Sequence, residues 1–88
     1  MNNQSHMRIN SQEELDSLLK DNRATEDFPM ECFVQLNYGL RSSKAIYLYG
    51  DDYYVQNEID GSEEFIEHDK LMESFIGEAI CKGAFYKW

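Results

Sequence analysis

The sequence predicts an α+β domain: an N-terminal helix, an antiparallel meander of three or four strands, a C-terminal helix on one face of the sheet, and a short aromatic tail. Three observations carry this reading. Leu15, Leu18 and Leu19 recur at helical spacing, and Leu71, Met72, Phe75, Ile76, Ala79 and Ile80 do so again near the other end. Between them, residues 30–59 alternate with period two and are cut by Gly, Asn and Asp. Helical patterns on either side of a run of hairpin strands belong to the α+β class.

The first helix announces its own start. Ser11-Gln12-Glu13-Glu14 is a capping box, in which the serine hydroxyl accepts from the Glu14 N–H and the glutamate reaches back. Glu13, Glu14 and Asp16 set negative charge at the positive end of the helix dipole. The predicted helix runs from Gln12 to about Asn22. Residues 1–7 before it read as a polar leader, expected to be disordered, with Met7 a second candidate start; residues 8–88 form one domain.

A polar loop closes at Pro29, the only proline. Met30 to Asn37 is the first predicted strand, with Cys32, Val34 and Leu36 on one face and Glu31, Phe33 and Gln35 on the other. Asn37 to Ser42 reads as a turn, because Asn and Gly tolerate positive φ. Ser43 to Tyr49 is the second strand, Gly50-Asp51-Asp52 a tight reversal, and Tyr53 to Ile59 the third strand. Asp60-Gly61 is a strong hairpin signal, and Ser62 to Glu67 a candidate fourth strand. Asp69 is the expected cap of the second helix. Gly77 inside it costs about 1 kcal/mol relative to alanine and is the expected point of a split. Gly83 suits the left-handed residue that ends a helix. Ala84 to Trp88 is apolar enough to pack, with an added strand as one form.

Composition narrows function. The 88 residues carry 17 Asp+Glu against 8 Lys+Arg, a net charge of -9. Nucleic-acid binding rests on neutralising phosphates with Lys and Arg, so direct binding to nucleic acid or an anionic membrane is not expected. The first ten residues lack the apolar core of a signal peptide, and the expected compartment is the cytoplasm. There, Cys32 and Cys81 are expected as free thiols in or near the core.

Five constellations bear on chemistry. Gly39-Leu40-Arg41-Ser42-Ser43-Lys44 offers two hydroxyls and two cations that could cradle an anion such as phosphate, beside the plainer reading of a hairpin turn. Gln56-x-Glu58-x-Asp60-Gly61 with Glu67 imitates part of a calcium loop, but Gln stands where the first ligand belongs and a strand precedes it. Glu67-His68-Asp69 sets an imidazole between carboxylates, which favours its charged form; no nucleophile or metal-ligand set accompanies it. Neither a catalytic residue, a metal nor a cofactor is therefore expected. Tyr47, Tyr49, Tyr53 and Tyr54 bracket one hairpin, either as binding anchors or as cross-strand pairs. Finally, Asp51, Asp52, Glu58, Asp60, Glu63, Glu64, Glu67 and Asp69 form an acidic tract, either a solvated face or a set of carboxylates imitating a phosphate backbone.

Three segments, Leu36-Asn37-Tyr38-Gly39-Leu40-Arg41-Ser42-Ser43-Lys44, Asn57-Glu58-Ile59-Asp60-Gly61 and Ile76-Gly77-Glu78-Ala79-Ile80-Cys81-Lys82-Gly83-Ala84, together resemble short proteins carried by bacterial phages, plasmids and conjugative elements. The resemblance spans about residues 8–86. It implies a bacterial cytosolic setting and an accessory gene, and it transfers no site residue, because that group has no activity to carry over. Mobile elements often encode small acidic inhibitors, which raises the prior on an interaction role by analogy.

The expectation is thus a non-enzymatic domain that binds another protein, a basic one in the version where it acts as a nucleic-acid mimic. Its contact residues would be Tyr47, Tyr49, Asp51, Asp52, Tyr53, Tyr54, Asp60, Glu63 and Glu64. The alternative is an anion-binding module using Arg41, Ser42, Ser43 and Lys44. An exposed sheet edge could also pair two copies as a homodimer.

Overall fold

The computed structural model describes residues 6–37 and 40–88. It is α+β, but the first element is a strand rather than a helix, and the sheet has six strands rather than three or four. Strand β1 (Met7–Arg8) precedes helix α1 (Gln12–Asp21). Then come β2 (Met30–Asn37), β3 (Leu40–Tyr49), β4 (Asp52–Asn57) and β5 (Glu63–Ile66). A 3-10 helix (His68–Glu73), helix α2 (Phe75–Cys81) and strand β6 (Phe85–Lys87) complete the chain. The sheet order is β1-β6-β2-β3-β4-β5, antiparallel throughout.

The overturned expectation has a physical reason. A two-residue strand with both side chains exposed has no period to read. What makes β1 a strand is its pairing with the other end of the chain, Met7 with Lys87 and Arg8 with Tyr86. The aromatic tail is in turn held as β6 between β1 and β2. The leader expected over 1–7 falls outside the described residues at 1–5, while Met7 already opens β1.

Helix α1 follows its cap. Ser11 Oγ accepts from the Glu14 N–H at 3.1 Å, and Glu14 Oε1 reaches back to the Asn10 N–H at 2.6 Å. The last turn closes with Arg23 in the left-handed region (φ 51°), where its N–H donates to Lys20 O and that of Ala24 to Leu19 O.

The second helical segment breaks at Ser74, not at Gly77. Ser74 Oγ donates to Leu71 O, ending the 3-10 helix, and accepts from the Ile76 N–H, starting α2. Asp69 lies inside the 3-10 helix instead of capping a longer one. Gly83 (φ 67°) does end α2, with Ala84 N–H donating to Ala79 O at 2.8 Å.

Both helices lie on one face of the sheet. Met30, Cys32 and Val34 of β2, Ile46 of β3, Tyr53 and Val55 of β4, Ile66 of β5 and Phe85 of β6 share a core with Leu15 and Leu19 of α1 and with Leu71, Ile76, Ala79 and Ile80. Each fully buried aliphatic or aromatic side chain of this set contributes about 1.5–3 kcal/mol. Leu18 and Phe75 pack at its margin. Strand alternation sends the remaining side chains to the opposite face, which no helix of the described residues covers. No helix among them is long and apolar enough to cross a membrane.

Candidate functional site

The opposite face is built from two aromatic groups separated by a polar row. On one side, Phe33 of β2 stacks on Tyr86 of β6 (centroids 5.0 Å apart, planes at 11°), with Trp88 at 4.6 Å. The Arg41 guanidinium lies over Phe33 at 4.7 Å and over Trp88 at 5.3 Å. On the other side, Tyr47 of β3 stacks on its register partner Tyr54 of β4 (5.2 Å, 8°). Tyr49 stands perpendicular to Tyr54 at 6.2 Å, and Phe65 of β5 leans against it at 5.2 Å. Between the groups runs the row Glu31, Ala45, Gln56 and Glu63, in register across four strands.

These rings partly sheathe one another, which is why Phe33 and Tyr47 are buried on a face without a helix. Tyr49 remains 73% exposed and Phe65 48%. The Tyr47 hydroxyl donates to Glu63 Oε2 at 2.6 Å, which holds its proton well above the ordinary phenol range, with burial and the Glu63 and Glu26 charges adding to the effect. Glu31 is pushed up to about 7, first by desolvation and then by a hydrogen bond and charge repulsion with Glu58. Burial and the nearby Glu58 thus favour the neutral form of the Glu31 carboxyl.

The sequence-predicted contact residues divide by position. Tyr47, Tyr49 and Tyr54 lie on the open face together with Glu63. Tyr53 alternates to the core face, is fully buried, and cannot meet a partner. Asp51 and Asp52 lie at the β3–β4 turn, where Gly50 (φ 67°) takes the first loop position. With Tyr49, Glu67, His68 and Asp69 they line an acidic cleft of about 750 Å³. Asp60 lies in the turn beyond the far end of β4, a strand whose five residue steps span about 17 Å. Its carboxylate accepts from the Ser62 N–H and hydroxyl at 2.9 and 2.7 Å, which lowers its pKa. Glu64 turns to the helix-bearing face, beside Lys44 and Phe75.

The anion-binding set is taken apart by the same alternation. Leu40–Lys44 is strand rather than loop, and Gly39 falls outside the described residues. Arg41 and Ser43 point to the open face; Ser42 and Lys44 point to the helix-bearing face, where Lys44 is 9% exposed over the Phe75 ring. Four side chains on two faces cannot close around one anion.

A polar network that local sequence does not show links α1, β4 and the 3-10 helix. The Tyr53 hydroxyl donates to Asp16 Oδ1 at 2.5 Å and accepts from Gln12 Nε2 at 2.9 Å. His68 Nε2 meets Asp16 Oδ2 at 3.2 Å, its Nδ1 meets Asp69 at 3.4 Å, and its ring stacks on Tyr53 (5.8 Å, 13°). Asp16 first and Asp69 second raise the His68 pKa. The Asp52 carboxylate accepts from the His68 N–H at 3.0 Å, starting the 3-10 helix. Tyr53 is held protonated by burial and by Asp16. This is a buttress, since the hydroxyl is already spent on Asp16 and Gln12. Of the carboxylate–imidazole contacts, the one to Asp69 is between sequence neighbours, whereas Asp16 lies 52 residues from His68.

Cys32 is fully buried, donates to Lys44 O at 3.6 Å, and has its thiol pKa raised chiefly by burial. Cys81 is, as expected, a free thiol, and it is exposed at the end of α2. Among the described residues no group of three or more His, Cys, Asp or Glu is placed to hold a metal ion.

No protein-family model, no curated protein and no solved structure matches this chain.

Proposed function

We propose that this domain works by binding another protein through its open sheet face, and that the partner's matching surface is basic. The supporting observation is Tyr49, 73% exposed at the junction between the tyrosine group and the acidic cleft at Asp51 and Asp52. A large ring with a wet hydroxyl end, beside desolvated neighbours and flanking carboxylates, is the usual chemistry of a contact anchor. The net charge of -9 selects for cationic partners and speeds their approach. In the sharper version, the domain occupies the nucleic-acid site of a bacterial DNA- or RNA-handling protein, and nucleic acid competes with it.

Asp52 and Glu63 carry structural hydrogen bonds, so charge reversal there would confound binding with folding. Asp51→Lys with Glu26→Lys is the cleaner test, both positions being exposed. A partner captured from bacterial lysate should be basic, leave as salt rises from about 0.05 to 0.5 M, and bind the double variant at least tenfold more weakly. Equal affinity for the two forms would remove the reading.

A further inference from the structure

The open face carries two aromatic groups, and one already holds a cation. Arg41 lies over Phe33 and Trp88 within the distance at which a ring quadrupole attracts a guanidinium. The second group has the same ingredients in a more open form. Tyr47, Tyr49 and Tyr54 line a cleft of about 400 Å³ with Glu26 and Glu63. Tyr49 and Tyr54 meet at 86°, so the cleft presents one ring face and one ring edge at right angles. The Tyr47 hydroxyl is committed to Glu63, which fixes that carboxylate at the wall. Among the described residues no cation stacks on these three rings.

We propose that this tyrosine cleft is a receptor for an arginine side chain of the partner, its guanidinium stacked on the exposed face of Tyr49, beside Tyr54, and facing the carboxylates of Glu26 and Glu63. This inference rests on the binding role above and names the group recognised. Guanidinium fits better than ammonium for two reasons. It is planar and weakly hydrated, so it can leave water to lie on a ring. Its fork of N–H donors can also serve a carboxylate while the plane is stacked. Arg41 supplies the same pairing of guanidinium and ring on this very face.

The test is an NMR titration of the whole protein with acetyl-Gly-Arg-Gly-amide, following the tyrosine ring signals. A matched peptide with citrulline, neutral and of the same shape, serves as control. The arginine peptide should shift Tyr49 and Tyr54 with a millimolar Kd, and the citrulline peptide should bind at least tenfold more weakly. Tyr49→Phe should keep the binding and Tyr49→Leu should weaken it fivefold or more; at so exposed a position neither disturbs the core. No shift at these rings, equal binding of the citrulline peptide, or an unaffected Tyr49→Leu variant would each overturn the proposal. Loss of the arginine site, with Asp51→Lys alone still weakening partner binding, would leave the broader binding role standing.

Discussion

Gly77 faces the backbone of Met72 so closely that a β-carbon on it would overlap the Met72 carbonyl group and Cα. The contact joins the 3-10 helix to α2 across the Ser74 break and lets Leu71 and Ile76 enter the same core.

Gly77→Ala therefore separates two accounts of this residue. Helix propensity alone has alanine stabilising the segment by about 1 kcal/mol. The packing predicts the reverse: backbone cannot give way as a flexible side chain can, and overpacking of this kind costs about 1–3 kcal/mol or more. Urea denaturation of the variant should show a lower midpoint. A raised midpoint would mean that the two helical pieces do not meet as described.

His68 makes stability depend on pH in a defined direction. Its folded pKa lies above its unfolded value, which is about 6.5. The contribution from His68 is thus complete below that value and is lost as pH rises through the folded pKa. Melting temperature should fall on going from about pH 6 to pH 8, and His68→Gln should flatten that part of the profile. Asp16→Asn should flatten it too, because Asp16 is the larger cause of the shift. An unchanged slope in both variants would contradict the network.

Glu31 gives a second pH signature. With its folded pKa raised to about 7, the stability associated with protonated Glu31 is present below about 4.3, the unfolded value, and is lost as pH rises through 7. Glu31→Gln has no proton to lose. It should match the wild type near pH 4 and exceed it at pH 8 by about 1 kcal/mol, the nominal cost being largely screened at an exposed position. Thermal melts at the two pH values measure the difference, and a variant no more stable at pH 8 would show that the Glu31 carboxylate is not disfavoured in the fold.

Much of this architecture was legible in the residues. The α1 cap, the bounds of β2, the Gly50 and Gly61 reversals and the Gly83 terminus all depend on chemistry within a few positions, and such chemistry can be read locally. What could not be read depends on partners far along the chain. Strand β1 exists because Lys87 and Tyr86 lie beside it. Asp16 finds His68 across 52 positions. Period two divides the tyrosines into two sets without saying which set the helices cover, and only the strand pairing sets Tyr53 on the opposite side from Tyr47, Tyr49 and Tyr54. The turn composition around Gly39 suggested an anion cradle, whereas the strand pairing of Arg41 to Lys44 sends alternate residues to opposite faces.

The central claim is that the open tyrosine face, and not the helical face, is where this protein meets its partner. Photo-crosslinking in bacterial cells tests it most directly, with benzoylphenylalanine placed either at exposed Tyr49 or at exposed Glu13 on α1. Position 49 should give a discrete protein adduct that the Asp51→Lys, Glu26→Lys background suppresses, and position 13 should give none. An adduct from position 13 with none from position 49 would contradict the account.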